Sequence, residues 1–249
     1  MTYHSATDSP MNGGIQLALD LRPRAPHGGA RKGAGRKRRS DRVGFASHRS
    51  RAKYDGKHPV HVTVRAVKLP SLRSHVIFTA LKAIFAKASE KAFRLLHYSV
   101  QWNHLHLVAE ADDGEALARG IQRLLSRAAF AINKLTGHTG KVWRDRYHRH
   151  DLTTPTAVRH AYVYVLFNVR KQTAIGSDMM QLLDCLDPCS SAAWFDRAGW
   201  KEGRAPSDDD LRAAGPSIVA QPTTWLARVG WKKSRFGLLS SAEMPVVGH

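Results

Sequence analysis

Phe93–Ala111, FRLLHYSVQWNHLHLVAEA, contains two strand-like runs joined by the short polar link QWN. In the second run, two leucines alternate with His104 and His106, which is typical of a strand with one buried face. A link of this length is compatible with a hairpin. The stretch therefore predicts two neighbouring antiparallel strands, with the two imidazoles side by side on one face of the second strand.

Strand and helix periodicities flank this hairpin on both sides. Alternation at Val60–Val67 predicts a strand, and apolar residues at three- and four-residue spacing predict helices at 70–91, 112–135 and 153–172. The segment 141–152 is predicted to be extended. The order strand, helix, strand, strand, helix, strand, helix is typical of an α+β fold. It indicates a ferredoxin-like split βαβ sandwich, in which an antiparallel sheet carries helices packed on one face.

The composition divides the chain of 249 residues into three parts. Residues 1–57 are rich in Gly, Arg and Ser, which predicts a basic, largely disordered arm that contacts DNA. Residues 58–175 contain the periodic elements and are predicted to form the folded domain. Residues 176–249 contain Pro, Gly and Asp with scattered tryptophans, and we expect an extension of unassigned role that lies against the domain.

The charge of the chain is unusual for a folded protein. Lys plus Arg number 39 against 20 Asp plus Glu, a formal net charge of +19. Such a charge attracts polyanions, of which nucleic acid is the commonest partner, although a ribosome-associated or membrane-surface protein remains open. No segment approaches the roughly 18 apolar residues of a membrane span. The only cysteines, Cys185 and Cys189, predict no disulfide framework, which fits a reducing cytoplasm.

Three groups of basic residues are candidates for binding phosphates. One belongs to the N-terminal arm, one lines the outer side of the second predicted helix, and one precedes the third predicted helix. The alternative for the arm is a solvated basic tail without a specific ligand. In chain order the candidates are Arg31, Lys32, Arg36, Lys37, Arg38, Arg39, Arg119, Arg123, Arg127, Arg144 and Arg146.

Histidine, tyrosine and asparagine side chains suggest a reactive site. Two imidazoles on one strand face form a clamp for a divalent metal, but His148–His150 repeats the pattern, so solvated strand histidines are an equal alternative. In the third predicted helix, Tyr164 and Asn168 are four residues apart and share one helical face. They are candidates for a nucleophile and a third metal ligand. The alternative is a core tyrosine and an exposed asparagine.

The two motifs together resemble a known family. Asn103–Leu107 (NHLHL) and Tyr164–Asn168 (YVLFN) are similar to the motifs of the single-tyrosine HUH transposases, in particular the REP-associated tyrosine transposase branch. The resemblance covers roughly residues 58–175. At two positions the chain departs from the pattern: Trp102 stands where a small residue or proline is usual, and Val169 where proline often follows the asparagine.

The resemblance implies a DNA transposase that cuts and rejoins one strand. It implies that Tyr164 forms a 5′-phosphotyrosine and that His104, His106 and Asn168 hold Mg²⁺ or Mn²⁺. The implied partner is single-stranded or hairpin DNA, bound by a monomer or homodimer in the cytoplasm, at the nucleoid, with no membrane association.

Two other functions remain open at the level of sequence. A catalytically inactive, domesticated DNA-binding protein would retain the same fold. An RNA-processing phosphoesterase is the other, because His61-Val62-Thr63 resembles half of a two-histidine phosphoesterase motif. The nearest candidate for the second half is His97-Tyr98-Ser99.

Overall fold

The computed structural model describes residues 52–173, 186–201, 205–240 and 243, without the side chains of 169–173. The described residues belong to Gly44–His249, one of two units into which the chain divides. The basic candidates of the arm, from Arg31 to Arg39, and Cys185 lie outside the described residues.

A four-stranded antiparallel sheet forms the centre of the described unit, with the strand order β2-β3-β1-β4. This order, with a helix after β1 and another after β3, is the split βαβ topology, so the predicted α+β class is confirmed. In chain order the elements are β1 (Val60–Arg65), α1 (His75–Phe85), β2 (Phe93–Val100), β3 (His104–Ala111), α2 (Gly114–Thr136), β4 (His148–Asp151) and α3 (Pro155–Thr173).

The two faces of the sheet are covered by different layers. Leu105 and Leu107 of β3 point into a core with α1 and α2, and Val108 points into a second core with α3. The sequence predicts helices on one face of the sheet, but in the structure α3 lies on the other face. The physical reason is the apolar character of α3, whose residues are buried almost all round between 161 and 167. A helix of this kind needs cover on both sides.

The C-terminal segment supplies the outer cover of α3. Trp200, Trp231 and Leu239 are buried in the same core as α3. The described part of this segment contains two short helices, α4 (Asp208–Ala214) and α5 (Trp225–Arg228), together with single 3₁₀ turns. None of the helices in the described ranges is both long and apolar enough to cross a lipid bilayer.

Two predicted elements are shorter in the structure than in the sequence pattern. The first helix begins at His75 because the residues before it bond elsewhere: the Leu72 amide donates to the Trp102 carbonyl at 2.9 Å, and the Arg73 guanidinium pairs with Asp187. The extended segment 141–152 forms a regular strand only at its end. Its earlier part contacts β1 through a single bridge between Ala66 and Trp143.

Candidate active site

His104 and His106 share one face of β3, as the alternation predicts, and in the structure α3 covers this face. Their ring centroids are 4.7 Å apart and the ring planes are perpendicular. His106 is buried, with 3% of its surface exposed, and His104 is partly exposed. The pair is therefore reachable from one side only, at the hairpin end of β3.

Tyr164 projects from α3 toward this histidine pair. Its ring centroid lies 4.8 Å from that of His106 and 5.7 Å from that of His61. The tyrosine is half-buried rather than enclosed in the core. The structure thus brings the predicted nucleophile and the predicted metal-binding pair together, although they are far apart in the sequence.

The neighbouring strand β1 contributes His61 and Thr63 to the same site. His61 Nε2 and Thr63 Oγ1 each lie 3.2 Å from Nδ1 of His106. Sequence analysis related these two residues only to a phosphoesterase motif. Alternation places them on one face of β1, but only the β1–β3 register, which pairs Thr63 with His106, shows that they meet the histidine pair.

The surrounding hydrogen bonds determine which nitrogen of each imidazole keeps its lone pair free for a metal ion. Asn103 Oδ1 lies 2.8 Å from Nδ1 of His104, and an amide oxygen only accepts, so Nδ1 carries the proton and Nε2 keeps its lone pair. Nδ1 of His106 is likewise engaged, by His61 and Thr63. Outer contacts of this kind orient histidines that bind metals.

The donor set fits a divalent ion. Two imidazoles that bind one ion through single nitrogens have ring centroids about 5 Å apart, given metal–nitrogen bonds near 2.1 Å. Asn168, one turn beyond Tyr164, is buried, and its Nδ2 has no hydrogen-bond partner among the described residues. In the described ranges no three His, Cys, Asp or Glu side chains form a metal site. An ion held by the two imidazoles would therefore need oxygen ligands as well, from an amide such as that of Asn168, from water or from substrate.

Burial favours the neutral imidazoles of His61 and His104 and the protonated phenol of Tyr164. It lowers the pKa of His61 to about 4, with a further contribution from the charges of His150 and His148. Burial, aided by the charge of Arg65, also lowers the pKa of His104. Neutral imidazoles have lone pairs available for a metal at pH 7. Burial raises the pKa of Tyr164, so its hydroxyl holds its proton more firmly than a solvated phenol.

The described basic candidates lie in two places, on α2 and in the segment before β4. Arg119, Arg123 and Arg127 are on α2, which packs on the face opposite Tyr164. Arg119 pairs with Glu115, and Arg123 with Glu90. Arg144 and Arg146 are exposed residues of the segment before β4. The Arg144 amide donates to the Arg65 carbonyl at 2.8 Å, which places this segment at the end of β1 near His104.

His97, proposed as half of a phosphoesterase motif, lies apart from the site in the core around α3. It is 7% exposed, and its ring centroid is 5.1 Å from that of Tyr162 and 5.2 Å from that of Phe195. Its Nδ1 lies 3.1 Å from Ser191 Oγ. The imidazole lines a cavity of about 490 Å³ in this core, and in the sheet register Val108 of β3 lies between His97 and His61. The structure therefore does not bring the two histidines of the phosphoesterase motif together in one site.

Comparison with solved structures shows that the fold of this chain is similar to that of known proteins. No family model and no curated protein matches the chain. A solved structure of a REP-associated tyrosine transposase bound to a REP hairpin is similar over 58% of this chain and 82% of that one. The TM-score is 0.45 and the sequence identity 16%.

Proposed function

We propose that this protein is a metal-dependent tyrosine transposase, which cuts a DNA strand, remains attached to it and transfers it. The observation that carries the proposal is the 4.8 Å approach of Tyr164 to the ring of His106, beside His104 with its outward lone pair. A phenol next to two neutral imidazoles suits covalent attack on a phosphodiester better than hydrolysis, which needs no tyrosine. The net charge of +19 suits a DNA substrate.

In the proposed reaction the Tyr164 oxygen attacks phosphorus in line. The new Oη–P bond forms as the bond from phosphorus to the 3′ oxygen breaks, leaving a 5′-phosphotyrosine and a 3′-hydroxyl. The phenolic proton passes to solvent, and the departing oxygen takes one up. Because the ester is exchanged rather than hydrolysed, a 3′-hydroxyl can later attack the phosphotyrosine and rejoin a strand.

The other residues of the site would hold a metal ion or orient the imidazoles that hold it. His104, His106 and Asn168 would hold Mg²⁺ or Mn²⁺, which when bound supplies Lewis-acid stabilisation of charge on the phosphate oxygens. Imidazole ligands favour Mn²⁺ over Mg²⁺. His61 and Thr63 fix the ring of His106 through its Nδ1. Asn103 does the same for His104.

The proposed substrate is single-stranded or hairpin DNA, bound by a monomer or homodimer in the cytoplasm, at the nucleoid. The cations of the N-terminal arm and the arginine row of α2 are proposed as further phosphate contacts. Because α2 lies on the opposite face of the sheet from Tyr164, its row would meet a part of the DNA away from the cut.

Covalent capture of DNA tests the proposal. The protein is incubated with Mn²⁺ and labelled single-stranded DNA from the flanks of its own gene, and adducts are separated on a denaturing gel. We expect a protein–DNA adduct that Tyr164→Phe abolishes. Tyr162→Phe is the matched control, because that hydroxyl is buried and donates to the Ala227 carbonyl. DNA binding without any adduct would instead support the inactive DNA-binding protein.

A further inference from the structure

We propose that a cationic cavity beside His104 is a phosphate-binding subsite, which holds the DNA strand next to the phosphate under attack. The cavity measures about 610 Å³ and is lined by Arg65, Lys68, Asn103 and Arg144, with apolar residues between them. This inference rests on the proposed function and names how its substrate is held. None of these residues except Arg144 was a candidate at the level of sequence for binding phosphate.

Three chain segments build the cavity, and backbone hydrogen bonds fasten them together. The amide of Ala66, at the end of β1, donates to the carbonyl of Asn103 in the hairpin at 2.8 Å. The Arg144 amide donates to the Arg65 carbonyl, and the Val67 amide to the Val142 carbonyl, both at 2.8 Å. The cations therefore stand on a fixed frame rather than on a free loop, which reduces the entropy lost when a ligand binds.

The cavity adjoins the candidate active site. In the β1–β3 register Arg65 pairs with His104, so the two side chains leave the sheet on the same face. A strand whose phosphate is at Tyr164 would bring a neighbouring phosphate toward these cations, since every nucleotide of the strand carries one.

The charge balance of the cavity calls for an anion. Arg65 and Lys68 are exposed, and within the part of the chain that the structure describes neither forms an ion pair. By contrast, Arg119 and Arg123 of α2 are paired with carboxylates. Asn103 adds a neutral donor, because its Oδ1 is turned to His104 and its Nδ2 remains for a phosphate oxygen. Cations and an amide donor on one wall are the chemistry that phosphate recognition uses.

Salt-dependent binding tests the subsite without using the cutting reaction. The full chain with Tyr164→Phe is titrated, without metal, against a fluorescein-labelled single-stranded oligonucleotide at several KCl concentrations. The triple variant R65A/K68A/R144A removes the cavity cations. The matched control is K87A/K91A/K134A, which removes the same charge from exposed lysines that do not line the cavity.

We expect the cavity variant to bind roughly tenfold or more weakly at moderate salt. Its plot of log K against log salt should be shallower by about 2, given about 0.7 per phosphate contact on a single strand. The lysine control should keep nearly the parent slope. Equal losses in both variants would show a general charge effect and overturn the subsite, as would no loss in either.

Two further measurements keep the outcome decisive. Thermal melts of both triple variants show whether each remains folded, and R65K/R144K, which keeps the charges, should bind nearly as well as the parent. Binding is measured without a nucleophile, so an absence of covalent adducts would reject the proposed function without touching this result. If adducts form but the cavity variant keeps the salt slope of the parent, the subsite is rejected and the proposed reaction of Tyr164 stands.

Discussion

Asn103 is the single residue that decides which nitrogen of His104 faces the candidate metal site. Its Oδ1 holds the Nδ1 proton at 2.8 Å and leaves Nε2 for a metal. Asn103→Ala frees the ring to change tautomer and orientation, and we expect Mn²⁺ affinity to fall about tenfold or more, as for other outer-contact changes. Asn103→Asp keeps an acceptor and should retain most of the affinity. Free Mn²⁺, followed by electron paramagnetic resonance, measures both variants.

Mn²⁺ affinity is measured without DNA, because Asn103 also lines the cationic cavity and its substitution would change DNA binding as well. Wild-type affinity in Asn103→Ala would show that the amide does not orient His104. Equal loss in the Asp and Ala variants would point to a change in the hairpin itself rather than in the tautomer.

At the scale of elements, a buried carboxylate joins β3 to the C-terminal segment. Glu110 is fully buried and accepts from the amides and hydroxyls of Thr223 and Thr224, just before α5. Glu110→Ala leaves these donors without their acceptor and removes the negative charge beside Arg94, which keeps its pair with Asp112. We expect the free energy of unfolding to fall by about 3–5 kcal/mol, measured by urea denaturation. Glu110→Gln keeps one acceptor oxygen and should lose less; a loss under about 1 kcal/mol in the Ala variant would contradict this role.

A second contact between elements lies where α2 crosses β2. A Cβ on Gly120 would overlap the ring of Phe93, whereas helix propensity alone favours alanine by about 1 kcal/mol. We expect the steric overlap to outweigh the gain in helix propensity, so that Gly120→Ala lowers the free energy of unfolding by about 1–3 kcal/mol in urea denaturation. In a Phe93→Ala background the overlap is gone, and Gly120→Ala should become neutral or stabilising. The same cost in both backgrounds would rule out the ring as its cause.

Elements were predictable where a local pattern decides them. The bounds of β2 and β3 match the prediction because alternation and a short link define a hairpin within one stretch of chain. The start of α1 was misplaced, since the segment before it bonds to the hairpin and to Asp187, contacts that local periodicity does not carry. For the site, the motifs singled out the residues at its centre. His61 and Arg65 depend on strand register, which a single sequence does not reveal.

At the scale of the whole molecule, the sheet is held between two cores, and α3 with the C-terminal segment forms the second of them. The face of α3 could not be predicted, because it depends on which layer the tryptophans of the C-terminal segment cover. This arrangement explains the position of Tyr164, which is set by packing of Tyr162 and Phe167 in the same core. The stability of that core therefore decides whether the nucleophile reaches the histidines.

His97 links this second core to pH. It is buried against Tyr162 and Phe195, and burial lowers its pKa from 6.5 to about 3. The unfolded chain takes up a proton there below pH 6.5 and the folded protein does not, so the stabilisation is complete above pH 6.5 and is lost as pH falls toward 3. Each pH unit in this window costs about 1.4 kcal/mol, or about 2 kcal/mol between pH 7 and pH 5. In His97→Gln this loss of unfolding free energy should disappear. The loss caused by His61 is present in both proteins and cancels when they are compared.

Urea denaturation at pH 7 and at pH 5 gives the change in unfolding free energy for each protein. Equal changes in the wild type and the variant would mean that His97 is hydrated, and that the core over the sheet is looser than its packing indicates.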